Sequence, residues 1–132
     1  MAEVKMEKYY QAYDKRYQQI HNLKLQWSSD VVTPILQELT VQFGIRKTDK
    51  ILEIGCGEGR DALWLLEQGY DILATDVSKE AISYFKKKNS KFSHLFFQLD
   101  VCEERLPQTF KFIYSISVIH MLVNQEDRNR FL

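Results

Sequence analysis

Apolar and aromatic side chains recur every three to four positions through the first third of the chain: Tyr9, Tyr13, Tyr17 and Ile20, then Val32, Ile35, Leu36, Leu39 and Phe43. That spacing puts each set on one face of a helix. The first set predicts a helix whose tyrosine face packs onto the sheet. The second predicts a helix capped by Ser29 or Asp30, with Pro34 near its first turn and Gly44 as its stop. From residue 50 the texture changes to short apolar runs alternating with helical ones: KILEI, RDALWLLEQG, DILAT, KEAISYFKKKN, HLFFQL and KFIYSISV. Such alternation predicts parallel βαβ units, hence an α/β fold in three layers with helices on both faces of a parallel sheet. The length suits one domain, residues 1–132, with residues 1–44 as an N-terminal helical cap and residues 45–132 as the βαβ core.

Charge narrows the choice of partners. Eighteen basic residues balance eighteen acidic ones, so no net field favours nucleic acid or an anionic membrane. No uncharged stretch approaches membrane-spanning length, and the first twenty residues lack the apolar core of a leader. Cys56 and Cys102 show no metal-ligand spacing and read as thiols of a reducing cytoplasm. The KKK run at 86–88 reads as the solvated tail of a helix, where positive charge suits the macrodipole.

Candidate chemistry concentrates in ILEIGCGEGRDALWL, residues 51–65, where a strand breaks into three alternating glycines before a helix. Gly55, Gly57 and Gly59 can take positive φ and present backbone N–H groups with no Cβ in the way, so a ligand is expected to lie against main chain. In an open α/β sheet such a corner sits at the carboxyl ends of the strands, where the strand order reverses. The spacing is G-x-G-x-G with Glu53 two residues upstream, which is not the dinucleotide fingerprint G-x-G-x-x-G. A P-loop is excluded because no Lys-Ser or Lys-Thr follows the glycines.

This corner resembles the first motif, E-x-G-x-G-x-G, of class I S-adenosylmethionine-dependent methyltransferases. The resemblance implies a Rossmann-like fold, S-adenosyl-L-methionine as cofactor and S-adenosyl-L-homocysteine as product. It continues at Asp76, at the end of DILATDVS, which matches the acid that accepts from both ribose hydroxyls. A carboxylate suits two adjacent hydroxyls because it offers two acceptor oxygens and no donor. Asp100, ending HLFFQLD, matches the acid that takes the adenine amino group, with the Val101 backbone N–H beside the ring. FKFIYSISVIHML resembles the fourth strand and the loop that closes over the methionine part. The resemblance also counts Cys56, Val77 and Ser115 among the cofactor positions. Arg60 and the helix N-terminus after Gly59 would favour the methionine carboxylate, while Glu53 would brace the loop or hold the α-amino group. Asp61 reads as a helix-start acid complementing the dipole, and Cys56 as a residue chosen for its small size.

Within the family, GRDALWLLEQGYDILATDVS is most similar to small-molecule enzymes of the tellurite-resistance and thiopurine type. Tyr9, Tyr13, Tyr17 and Trp27 resemble N-terminal helices that cover the cofactor pocket in such enzymes, although plain packing on the sheet is the preferred reading. His120, in SVIHML, is the candidate general base, set against a histidine packed beneath the next helix. His21 and His94 have no motif around them. Two departures qualify the resemblance. Phe110-Lys111 stands where relatives read Phe-Asp, and 132 residues leave room for four strands and the start of a further helix. The chain therefore reads as the cofactor half, with the C-terminal strands missing, as a fragment or a shortened member. The unprotected fourth strand suggests a homodimer formed along that edge.

The expected function is methyl transfer from S-adenosyl-L-methionine to a small-molecule acceptor, with no metal. The alternative is a cofactor-binding or structural module lacking activity because the acceptor half is absent. More distant is nucleotide or dinucleotide binding by a generic Rossmann half.

Overall fold

The computed structural model describes residues 11–116, 118 and 125–132. Four parallel strands form one sheet: β1 (Lys50–Ile54), β2 (Asp71–Asp76), β3 (Phe96–Gln98) and β4 (Phe112–Tyr114), in the order β3-β2-β1-β4. Helices α1 (Gln11–Asn22), α2 (Pro34–Gln42), α3 (Arg60–Glu67), α4 (Lys79–Lys88) and α5 (Gln125–Phe131) flank it. This is the α/β architecture that the alternation of apolar runs predicts, and it is Rossmann-like as the resemblance implies. Because β2 and β3 lie to one side of β1 and β4 to the other, strand order reverses at β1, and the crevice opens above its carboxyl end.

The two outer strands are shorter than their apolar runs. β3 pairs only with the last three residues of β2, Ala74–Asp76, so only Phe96–Gln98 find ladder partners. The preceding Ser90–Leu95 winds into a 3-10 helix. β4 pairs with Ile51–Glu53 of β1 and ends at Tyr114. Helix α2 also starts later than expected. Thr33 is its N-cap, in extended conformation, with Pro34 in the first turn. The residue before a proline is pushed out of the α region, which places the boundary at Thr33 and leaves Ser29 and Asp30 in the preceding loop.

The core lies between helices and sheet. Leu36, Ile51, Leu65, Ile72, Phe85 and Phe96 are buried there, and the Phe85 and Phe96 rings stack with centroids 3.5 Å apart. Each such side chain contributes about 1.5–3 kcal/mol of transfer free energy. Within residues 1–44 the two helices attach differently. α2 sends Leu36 into the core, whereas α1 has no buried residue and does not pack its tyrosines onto the sheet as expected. It lies against α4, where Asp14 accepts hydrogen bonds from Ser78 Oγ at 2.7 Å and from the Glu80 N–H at 3.1 Å. A carboxylate at a helix N-terminus meets free N–H groups and the positive end of the dipole, which draws α1 to that position.

Candidate functional site

A cavity of about 290 Å³ opens at the carboxyl end of β1. Its floor is the glycine corner, and all three glycines are left-handed, with φ of 80°, 57° and 88° at Gly55, Gly57 and Gly59. The expectation of a donor-rich corner needs correction. The N–H groups of Gly55 and Cys56 both go to the Thr75 carbonyl, that of Gly57 to Asp76, and that of Gly59 to the Cys56 carbonyl. Those donors hold the turn. What the missing side chains allow is conformation and close approach: a Cβ on Gly55 would overlap Val118, one on Gly57 would come 3.0 Å from the Tyr17 hydroxyl, and one on Gly59 would press into the Phe85 ring.

Asp76 ends β2 at the cavity wall, buried, with Oδ2 accepting the Gly57 N–H and Oδ1 the Ser78 N–H, each at 2.8 Å. Two N–H groups occupy about half of a carboxylate's acceptor sites, so the oxygens can still take two hydroxyls. Burial raises its pKa, against the lowering effect of those N–H bonds. Glu53, on β1, faces the same cavity at 3% exposure. Its Oε1 completes no hydrogen bond among the described residues, and neither does the nearby Tyr114 hydroxyl, which β4 brings alongside by pairing Tyr114 with Glu53. Burial pushes the Glu53 carboxyl up to about 8; the charges of Asp61 and Asp76 add to this, while Tyr114 and Arg60 oppose it. A buried carboxyl on the wall of a cavity, held protonated in the folded chain, is suited to a cationic or donor-bearing ligand group that would restore its charge.

Cys56, Gly57, Arg60, Val77 and Val101 also line the cavity. Burial and the Asp76 and Glu53 charges hold the Cys56 thiol protonated, as suits a small filler rather than a nucleophile. Gly59 sits behind the wall as the N-cap of α3. Asp100 is not brought to the cavity: one carboxylate oxygen accepts the Cys102 N–H at 3.1 Å, and its neighbours Leu99 and Val101 face the space instead. Ser115 is exposed and ties β4 to β1 through Oγ donating to the Ile54 carbonyl at 2.8 Å. Arg60 donates to Thr33 Oγ1 at 3.0 Å. Asp61 is more than a dipole complement, since it accepts from the Thr33 N–H at 2.8 Å and Thr33 Oγ1 at 2.7 Å and thereby anchors the start of α2 to α3. His120 and Tyr9 lie outside the described residues.

Three aromatic side chains read as packing residues form part of the cavity: Tyr13, Tyr17 and Trp27. Tyr17 and Trp27 meet edge to face at 4.7 Å. Burial, with the charges of Asp76 and Glu58, keeps the Tyr17 hydroxyl protonated and so a donor. Glu58 was not singled out by sequence. It accepts from the Trp27 N–H at 3.0 Å, the Ser28 N–H at 2.6 Å and Ser28 Oγ at 3.0 Å, and lies 2.6 Å from His21 Nε2. An acid inside a glycine run was the available signal, but its partners are some thirty positions away in the chain.

No cluster of His, Cys, Asp and Glu among the described residues could hold a metal, and no described helix is long and apolar enough to cross a membrane. A family profile described as Methyltransferase domain matches residues 51–132, which contain the glycine corner, Asp76 and β4. The chain belongs to the methyltransferase domain family. It is 31% identical over 81 residues to the probable S-adenosyl-L-methionine-dependent methyltransferase TehB of Haemophilus influenzae, covering 58% of this chain and 27% of that protein. It is 28% identical over 58 residues to the thiopurine S-methyltransferase of Pseudomonas fluorescens, covering 44% and 26%. Among solved structures, the TehB-like SAM-dependent methyltransferase of Corynebacterium glutamicum superposes with a TM-score of 0.62 at 22% identity, covering 91% of this chain and 61% of that one. The chain thus spans about a quarter of the length of the curated relatives it matches.

Proposed function

We propose that the protein binds S-adenosyl-L-methionine in this cavity and transfers its methyl group to a small-molecule acceptor. The observation that carries the reading is the meeting of Asp76, at the end of β2, with the glycine corner after β1 and the buried Glu53 carboxyl in the wall of one cavity. These residues fit an adenosyl amino acid. Asp76 retains acceptor sites for adjacent hydroxyls, Glu53 offers an oxygen to an ammonium group, and Arg60 with the start of α3 suits a carboxylate. Asp100 stays outside the cavity, and its neighbours Leu99 and Val101 line it instead. The TehB and thiopurine relatives support a small acceptor.

When bound, the cofactor supplies a methyl carbon activated by its sulfonium. The chain's own residues then have to align an acceptor and exclude water. Tyr13, Tyr17 and Trp27 line the cavity, and the Tyr17 hydroxyl stays protonated. His120 takes the acceptor's proton where one must leave. Balanced charge supports an acceptor that is neither nucleic acid nor membrane, and two thiols support a cytoplasmic setting. Self-association, where it occurs, uses the β4 edge, at which Ile113 is 59% exposed.

Calorimetric titration with S-adenosylhomocysteine and with NAD, followed by a labelled-methyl assay on thiol acceptors, tests the reading. Saturable binding of the first ligand alone, with label transferred, is expected. Binding without transfer would favour a cofactor-binding module, and competition by NAD would favour a generic nucleotide site.

A further inference from the structure

Helix α1 is fastened to the rest of the molecule in an unusual way. Twelve residues long, it places no apolar side chain in the core. It nevertheless places Tyr13 and Tyr17 in the wall of the cavity, and the loop after it adds Trp27 and Ser28. The attachment is polar and centres on His21, in its last turn. One ring nitrogen, Nε2, lies 2.6 Å from Glu58 of the glycine corner, and the other, Nδ1, lies 2.8 Å from Glu80 of α4. The ring stacks on Tyr84 of α4 at 4.0 Å, and Tyr17 of α1 lies 5.8 Å away. Among the described residues, those four groups, from three elements, face the imidazole.

Proton counting then sets a condition. Glu58 is held ionised by the Ser28 and Trp27 N–H groups, which outweigh its burial, and an ionised carboxylate only accepts. A neutral imidazole has one N–H and one lone pair, so two carboxylates on its two nitrogens would leave a lone pair facing a lone pair. Both contacts are satisfied only when the three groups share one proton more than a neutral histidine and two carboxylates carry. We infer that His21, by holding that extra proton, is a positioning residue that clasps α1 and its aromatic side chains over the cavity, and that its loss releases this strap. Glu58 also fixes Trp27 and Ser28, so release reaches the covering loop as well as the helix.

This proposal rests on the cofactor reading only for what the strap covers, so its test begins without ligand. Trp27 emission is followed in a Trp64→Phe background, together with amide hydrogen exchange across α1. The reference is His21→Arg, whose guanidinium can bridge two carboxylates. The α1 amides of His21→Leu are expected to exchange about tenfold faster than those of the parent, and those of His21→Arg to match the parent. Trp27 emission follows the same division, and S-adenosylhomocysteine affinity should fall in His21→Leu and be kept in His21→Arg. Equal α1 exchange in the parent, His21→Arg and His21→Leu overturns the clasp, whatever the ligand does. Faster α1 exchange in His21→Leu alone, with no ligand binding to any of the three, instead overturns the cofactor reading and leaves the clasp standing.

Discussion

Helices α1 and α4 lie against each other, yet they are held by opposite means. α4 buries Ala81, Ile82 and Phe85 against the sheet, and its Ser78 cap accepts the Ala81 N–H at 3.1 Å. α1 sends no side chain into the core and depends on Asp14 and His21 reaching charged or polar partners on α4 and the glycine corner. Apolar burial is insensitive to pH and resists local opening, while charged hydrogen bonds are strong only when every proton is in place. The contrast separates a permanent floor from a releasable cover, and the cavity lies between them.

The sharpest break falls on the floor. Gly59→Ala would require a left-handed alanine whose Cβ presses into the buried Phe85 ring, so we expect a loss on the order of 3 kcal/mol in denaturant unfolding. An unchanged midpoint would mean that the corner and α4 are not packed as described. A pH-dependent effect of similar size at high pH is expected at Glu53. Its folded pKa of about 8 lies above the ordinary 4.5, so the folded state holds a proton that the unfolded chain has released. Stability attributable to this group is therefore full below about pH 4.5 and declines as pH rises through about 8. Glu53→Gln should match the parent near pH 4.5, exceed it by a few kcal/mol at pH 9, and bind the cofactor less tightly. Parallel stability curves across that range would contradict a buried carboxyl that is protonated in the folded chain. The smallest effect belongs to the cover: Asp14→Ala removes two bonds to the start of α4 and should cost about 1 kcal/mol, seen as faster exchange in α1 with β1 and β2 unaffected.

The contrast also explains what could be read from sequence. Period-2 and period-3.6 apolar patterning reports burial, so the parallel sheet, α3 and α4 were legible, as was the glycine corner with Glu53 and Asp76 at strand ends. Strand length was not, because Phe96–Gln98 and Phe112–Tyr114 are limited by the reach of their neighbours rather than by their own apolar runs. The tyrosine spacing in α1 did signal a helix but gave the wrong resting place, since its position is set by Asp14 and His21. Polar contacts at separations of 37 to 66 positions leave no periodic trace, which is why His21 and Glu58 looked ordinary. Asp100 matched a motif, yet its carboxylate serves the next turn.

The most direct test of the account is a crystal structure with S-adenosylhomocysteine, paired with a binding titration of Asp76→Ala. The account predicts both ribose hydroxyls within hydrogen-bond distance of the Asp76 carboxylate, the amino-acid end over Gly55 and Gly57, and affinity at least about tenfold weaker in the variant. Ligand density elsewhere on the molecule, or equal affinity in the variant, would contradict it.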